Sequence, residues 1–170
     1  ARHMLYARQF TRETFGLDAD DLPLDWEPDT FGHAITVPAI VSRGGVRRYY
    51  MCRGGHWDKP PVYHYQSPDG SRILVYRDTH WYNSTAGPET IRRMVPFCEE
   101  TGLTDWMLVY GVGDHGGGPT RRDILRLRDM NDWPIYPAMR MTTANRYFAE
   151  VLERRDDWPV IDRELNFEFT

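Results

Sequence analysis

Chemistry in this chain gathers around an aspartate placed just after a strand-stopping proline. In Trp26-Glu27-Pro28-Asp29-Thr30-Phe31-Gly32-His33, Pro28 removes a backbone donor and biases Glu27 away from helical geometry, so a strand ending there leaves Asp29 in the turn. A carboxylate displayed in that way can face a bound molecule. Spacing alone favours a plainer role, the capping of a helix over 33–43, because aspartate is a preferred capping residue. The second suggestive stretch is glycine-rich. Gly111-Val112-Gly113-Asp114-His115-Gly116 formally matches the G-x-G-x-x-G dinucleotide fingerprint. Asp114 would set a negative charge beside the pyrophosphate, the helix signal starts only at Pro119-Thr120, and the next strand ends at Arg140 where a ribose-binding acid is wanted. The match is therefore set aside. Six histidines (3, 33, 56, 64, 80 and 115) show no HxH, HExxH or HxxxH spacing, so no self-contained metal cage is written in the sequence.

The elements that must position these residues alternate. Strand-type runs are expected at 22–26, 46–53, 71–78, 105–112, 134–141 and 159–169, with helical periodicity at 33–43, 89–101, 120–130 and 143–155 between them. That order predicts an α/β fold with βαβ units and a largely parallel sheet. The chain also opens inside what reads as a helix. Gly44-Gly45 and Gly102 are expected as helix C-terminal caps, and Thr120 and Thr143 as N-caps. Pro38 and Pro96 interrupt the first and second helices, and one of them is expected to kink its helix. Residues 54–71 read as a long loop or hairpin excursion, with Pro68-Asp69-Gly70 as a turn. In such folds chemistry sits on loops at the carboxyl ends of parallel strands, here 26–33, 53–70, 78–88 and 111–119.

Bulk properties bound the remainder. The 170 residues, 41% hydrophobic and 27% charged, suffice for one domain with a core. A net charge of -4 gives no field to gather nucleic acid or an anionic membrane, and the arginine pairs at 47–48, 92–93, 121–122 and 154–155 read as solvated faces. Cys52 and Cys98 form no CxxC and suggest neither zinc knuckle nor disulfide framework. No apolar run approaches the roughly 20 residues of a membrane span, and ARHMLYARQF lacks the apolar stretch of a signal peptide, so a cytoplasmic location is expected. Both ends look cut, so 1–170 is expected to be a single partial domain truncated at each end.

The octapeptide at 26–33 resembles the W-x-P-D-T-F-G-H nucleophile motif of glycoside hydrolase family 38, the α-mannosidases. Resemblance continues at Gly113-Asp114-His115-Gly116-Gly117-Gly118-Pro119-Thr120 and, more weakly, at Ser71-Arg72-Ile73-Leu74 and at Glu164-Leu165-Asn166-Phe167-Glu168-Phe169. It implies an incomplete (β/α)7-barrel-like catalytic domain and retaining hydrolysis of terminal α-linked mannose in a glycan. Asp29 would then be both nucleophile and ligand of a divalent metal, usually zinc, and Phe31 would line the mannose pocket. A retaining glycosidase also needs a protonated carboxyl about 5–5.5 Å from the nucleophile. Asp114 is the choice for that acid, with His115 the alternative if the alignment shifts by one residue.

Arg53, at the end of strand 46–53, has forked donors suited to a carboxylate or a sugar hydroxyl, and reads equally well as a surface arginine. Trp57 and Trp81 lie in loops of the active face and could stack on sugar rings, although a tryptophan is more often simply packed. The family's H-x-D ligand pair and a further histidine fall outside this sequence, so the fragment alone is expected to bind metal weakly and to be inactive. Two other functions are weighed: a metal-dependent polysaccharide deacetylase-like hydrolase, which activates water and forms no covalent sugar, and an inactive domain with a binding or structural role.

Overall fold

A computed structural model describes residues 2–53, 59–113 and 115–165. The chain divides into two compact units, one of Ala1–Arg77 with Arg154–Thr170 and one of Asp78–Glu153. In the first, α1 (Arg2–Phe15), β1 (Leu24–Glu27), α2 (Val37–Arg43), β2 (Arg48–Met51), β3 (Val62–Gln66), β4 (Arg72–Arg77) and β5 (Val160–Ile161) build a five-stranded sheet in the order β1-β2-β4-β3-β5. Pairing is parallel for β1 with β2, β2 with β4 and β3 with β5, and antiparallel for β3 with β4. The α/β class and the mostly parallel sheet hold, and among the described residues the barrel is not closed.

The parallel order follows from the linkers. The β1 to β2 connection passes through α2, whereas β3 returns to β4 by a tight turn in which Gly70, at φ 83°, donates its N–H to the Ser67 carbonyl. Pro68-Asp69-Gly70 is thus the expected turn, and the stretch read as a loop contributes β3. Register partners share a face of the sheet. Tyr49, Met51, Tyr63, Tyr65, Ile73 and Val75 fall together on one side and form, with Val41, Val46 and Leu165, the buried apolar cluster under α2. On the other side Trp26, Tyr50 and Tyr76 align across three strands, Trp26 stacked on Tyr50 at 3.6 Å and 6°.

Pro38 shortens the expected helix over 33–43. It sits in the first turn of α2, where a missing donor costs nothing, so the helix begins at Val37. Pro96 instead lies inside an uninterrupted α3 (Ile91–Thr101), which Gly102 ends in the left-handed conformation, φ 71°.

The second unit is helical, with α3, α4 (Arg121–Asn131) and α5 (Ala144–Glu150). Thr120 and Thr143 cap α4 and α5, their hydroxyls accepting from the backbone N–H groups of Asp123 and Arg146. The strands expected at 105–112 and 134–141 do not form. Residues 105–112 contribute one isolated bridge, Tyr110 to Ser84, and scattered bonds such as Val112 N–H to the Gly118 carbonyl and the Tyr147 hydroxyl to the Asp105 carbonyl, with no ladder. In 134–141, Pro134 and Pro137 remove ladder donors, and Ile135 is 96% exposed, so this stretch has neither the hydrogen bonds nor the burial of a strand. No helix among the described residues is long and apolar enough to cross a membrane.

Candidate active site

β1, β2 and β4 run parallel, so their carboxyl ends emerge along one edge of the sheet. Asp29 follows β1 there and Arg53 follows β2. Neighbouring strands therefore bring together an acid and a base that are distant in sequence. Arg53 donates from Nε to Asp29 Oδ1, forming an ion pair with Asp29 45% and Arg53 21% exposed at the side chain. Asp29 does not cap the next helix. Thr36 holds the N-cap position of α2, and the turn from Pro28 to Gly32 keeps the aspartate clear of it.

Phe31 completes the group. The residue is 60% exposed, and its ring lies 4.6 Å from the Arg53 guanidinium carbon, a cation–π contact. Within the turn the Thr30 hydroxyl bonds to the Glu27 carboxylate, and Gly32 adopts φ 126°, a conformation that a side chain resists. Below the turn, His33 is buried and pinned to the sheet. Its backbone exchanges hydrogen bonds with Leu165 at 2.8 and 3.0 Å, and its ring Nδ1 lies 3.1 Å from the Tyr49 hydroxyl.

Electrostatics beneath the turn are unusual for an edge strand. Asp25 and Glu27 project to the same side of β1, beside Tyr49 and Met51 of β2. Burial, and then Glu27, push the Asp25 carboxyl upward against a backbone N–H bond at Trp26. Burial, followed by the Glu27 and Asp25 charges, drives the Tyr49 phenol far upward. Burial holds His33 below the ordinary imidazole range, with Glu27 opposing. The imidazole is therefore uncharged near neutrality.

Of the other candidate residues, Asp114 and Trp57 lie outside the described residues. His115 and Trp81 belong to the second unit. His115 is exposed in a loop tightened by a Gly113 to Gly117 bridge, and Trp81 is half-buried, tilted against Tyr82 at 5.1 Å. The same loop excludes the dinucleotide reading, since α4 starts only at Arg121, after the glycines. For a divalent metal, Asp29 offers one fitting ligand, a half-exposed carboxylate whose Oδ1 is held by Arg53. Among the described residues no three His, Cys, Asp or Glu side chains are grouped to hold an ion.

Asp25 and Tyr49 carry no motif of their own, and His33 stands in the sequence only as the last residue of the octapeptide. The signal for Asp25 and Glu27 was present as two carboxylates at i and i+2 in a strand, one side of which is buried.

Comparison with known proteins gives consistent matches. The family described as Glycosyl hydrolases family 38 N-terminal domain matches residues 1–164. Alpha-mannosidase G of Dictyostelium discoideum is 29% identical over 98% of this chain, and the Alpha-mannosidase of Saccharomyces cerevisiae 25% identical over 99%. Alpha-mannosidase 2C1 of Mus musculus is 26% identical over 90%. The chain spans only 16%, 17% and 15% of those three proteins respectively. In fold it is similar to the crystal structure of an alpha-mannosidase from Enterococcus faecalis, with TM-score 0.70, 21% identity, and coverage of 92% of this chain and 19% of that one.

Proposed function

Since this chain belongs to glycosyl hydrolase family 38, matching its N-terminal domain, we propose that it carries the nucleophile of a retaining α-mannosidase and that Asp29 is that nucleophile. The observation that carries the reading is the display of Asp29 at the end of β1, off the helix cap and gripped on one oxygen by Arg53. Family membership makes a glycan the substrate class. Terminal α-linked mannose is the proposed sugar, as the relatives' names indicate.

In the proposed reaction an Asp29 oxygen attacks the anomeric carbon while the glycosidic C–O bond breaks and the departing oxygen takes a proton from a general acid. Asp114 is proposed as that acid, with His115 as its alternative. Water then attacks the glycosyl ester, the same group now removing a proton, and Asp29 leaves as carboxylate. Arg53 fixes the plane of the Asp29 carboxylate, because a guanidinium donates from a fixed fork. The exposed Phe31 ring offers an apolar wall to the sugar, and Trp57 and Trp81 are proposed to stack on sugar rings. A divalent metal, with zinc the proposed ion, would supply Lewis-acid polarisation of the sugar hydroxyls. Asp29 would be one of its ligands, the others coming from the longer polypeptide.

The test is covalent trapping. A 2-deoxy-2-fluoro mannosyl reagent added to the protein in its full length should leave an adduct on the peptide holding Asp29, and Asp29→Asn should abolish it. Turnover of an aryl α-mannoside with no such adduct would overturn the assignment and favour water activation without a covalent sugar.

A further inference from the structure

The turn that presents Asp29 is short and polar, yet it has a buried foot. His33 is 4% exposed, and the groups around it are accounted for one by one. Its N–H donates to the Leu165 carbonyl, and its own carbonyl accepts from Leu165 N–H and from the Tyr65 hydroxyl at 3.0 Å. Its ring meets Tyr49 edge-on, centroids 5.4 Å apart, with Nδ1 in a hydrogen bond to the Tyr49 hydroxyl. Two residues on, the Ile35 carbonyl accepts from Ser67 at 2.7 Å, which carries the same stitching toward α2. Nε2 is buried and has no hydrogen-bond partner among the described residues.

An imidazole is a costly way to fill such a space. A hydrocarbon side chain would bury no unpaired nitrogen, and an unsatisfied buried polar atom costs about 1–3 kcal/mol. What the ring supplies that a hydrocarbon lacks is direction: one bond from Nδ1 to a tyrosine of β2, the strand that Arg53 follows. The arc 28–32 thus hangs between two fixed points, Glu27 in the β1 ladder and His33 clamped to the sheet. Both the nucleophile and its arginine are indexed to β2.

We propose that His33, through its Nδ1 bond to Tyr49, is a positioning residue that sets the height and orientation of Asp29 relative to Arg53. The proposal rests on the reading of Asp29 as nucleophile. Since a misplacement of about 1 Å costs on the order of 100-fold in rate, loosening the clamp should lower the rate of each correctly folded molecule instead of only lowering the number of folded molecules.

The experiment uses the full-length protein and titrates active sites with the 2-deoxy-2-fluoro mannosyl reagent to completion, so that kcat is expressed per trapped site. His33→Ala and Tyr49→Phe should each reduce kcat per site by about 10-fold or more, with KM changed by less than about twofold. His33→Asn, whose amide nitrogen can stand near the place of Nδ1, should recover most of the loss. If His33→Ala does not fold, Tyr49→Phe alone decides, since it removes one oxygen from the clamp. Unchanged kcat per site in Tyr49→Phe, with only the titratable fraction reduced, would overturn the proposal by showing a purely structural role. A wild-type protein that turns over without labelling Asp29 would instead overturn the nucleophile assignment on which the proposal stands.

Discussion

Removing the Arg53 fork should separate catalysis from stability. In Arg53→Met the stem volume remains but the ion pair to Asp29 and the charge over Phe31 are lost. The pair stands partly in water, at 21% and 45% exposure, so solvent screening limits its share of folding stability to at most about 1 kcal/mol. The cation–π contact adds roughly 0.5–1 kcal/mol at such an exposed site. With Asp29 as the proposed nucleophile, catalysis would depend on the same bond differently. When sugar covers the site, water leaves, and a charge-assisted hydrogen bond of about 1.5–3 kcal/mol orients the attacking oxygen. Loss of that amount corresponds to roughly 10- to 150-fold in kcat. The assay is aryl α-mannoside hydrolysis by the full-length protein beside urea denaturation of the same variant. Arg53→Lys should lie between, as it restores charge without the fork. A kcat within twofold of wild type, or a fall in stability large enough to explain the lost activity, would refute the argument.

Asp25→Asn should stabilise the protein at neutral pH. Burial raises the Asp25 carboxyl in the folded chain, so its favourable contribution is complete below the unfolded value and disappears as pH rises through the folded one; denaturation at pH 4 and pH 7 should show the gain only at the higher value. His33 and His64 act in the opposite sense. Both are lowered chiefly by burial, so stability is full above about 6.5, the ordinary histidine value, and declines as pH falls from there toward their folded values, an effect that denaturation midpoints between pH 7.5 and 5.5 should reveal. The 170-residue chain alone should self-associate, because Leu5, Tyr6, Phe10 and Phe15 of α1 are each more than half exposed and β1 carries a sheet edge. Analytical ultracentrifugation showing a monodisperse monomer would contradict this.

What could be read from sequence was decided by local rules. Pro28 after a β-type run, Thr120 and Thr143 before helical periodicity, and Gly102 after it all act within a few residues, and the structure places a strand end, two N-caps and a C-cap there. The failures came where partners at long range decide. Residues 105–112 have the composition of a strand but make a single bridge, while 62–66, next to Pro60-Pro61, gains a ladder from β4. The forked donors of Arg53 suggested a carboxylate partner, but only the parallel pairing of β1 with β2 makes that partner Asp29. The bond between His33 and Tyr49 had no local signature, since it depends on the same register.

The sheet's mixed connectivity orders its assembly in time. Gln66 meets Arg72 across one tight turn, whereas Leu24 must find Arg48 beyond the whole of α2, and His64 finds Val160 only from the far end of the chain. Closing a short loop sacrifices less chain freedom than closing a long one, so the β3–β4 ribbon is the natural seed and β1 a later arrival. Asp29, which follows β1, therefore takes its place beside Arg53 late in folding, and a nascent molecule acquires its scaffold before it acquires the proposed site.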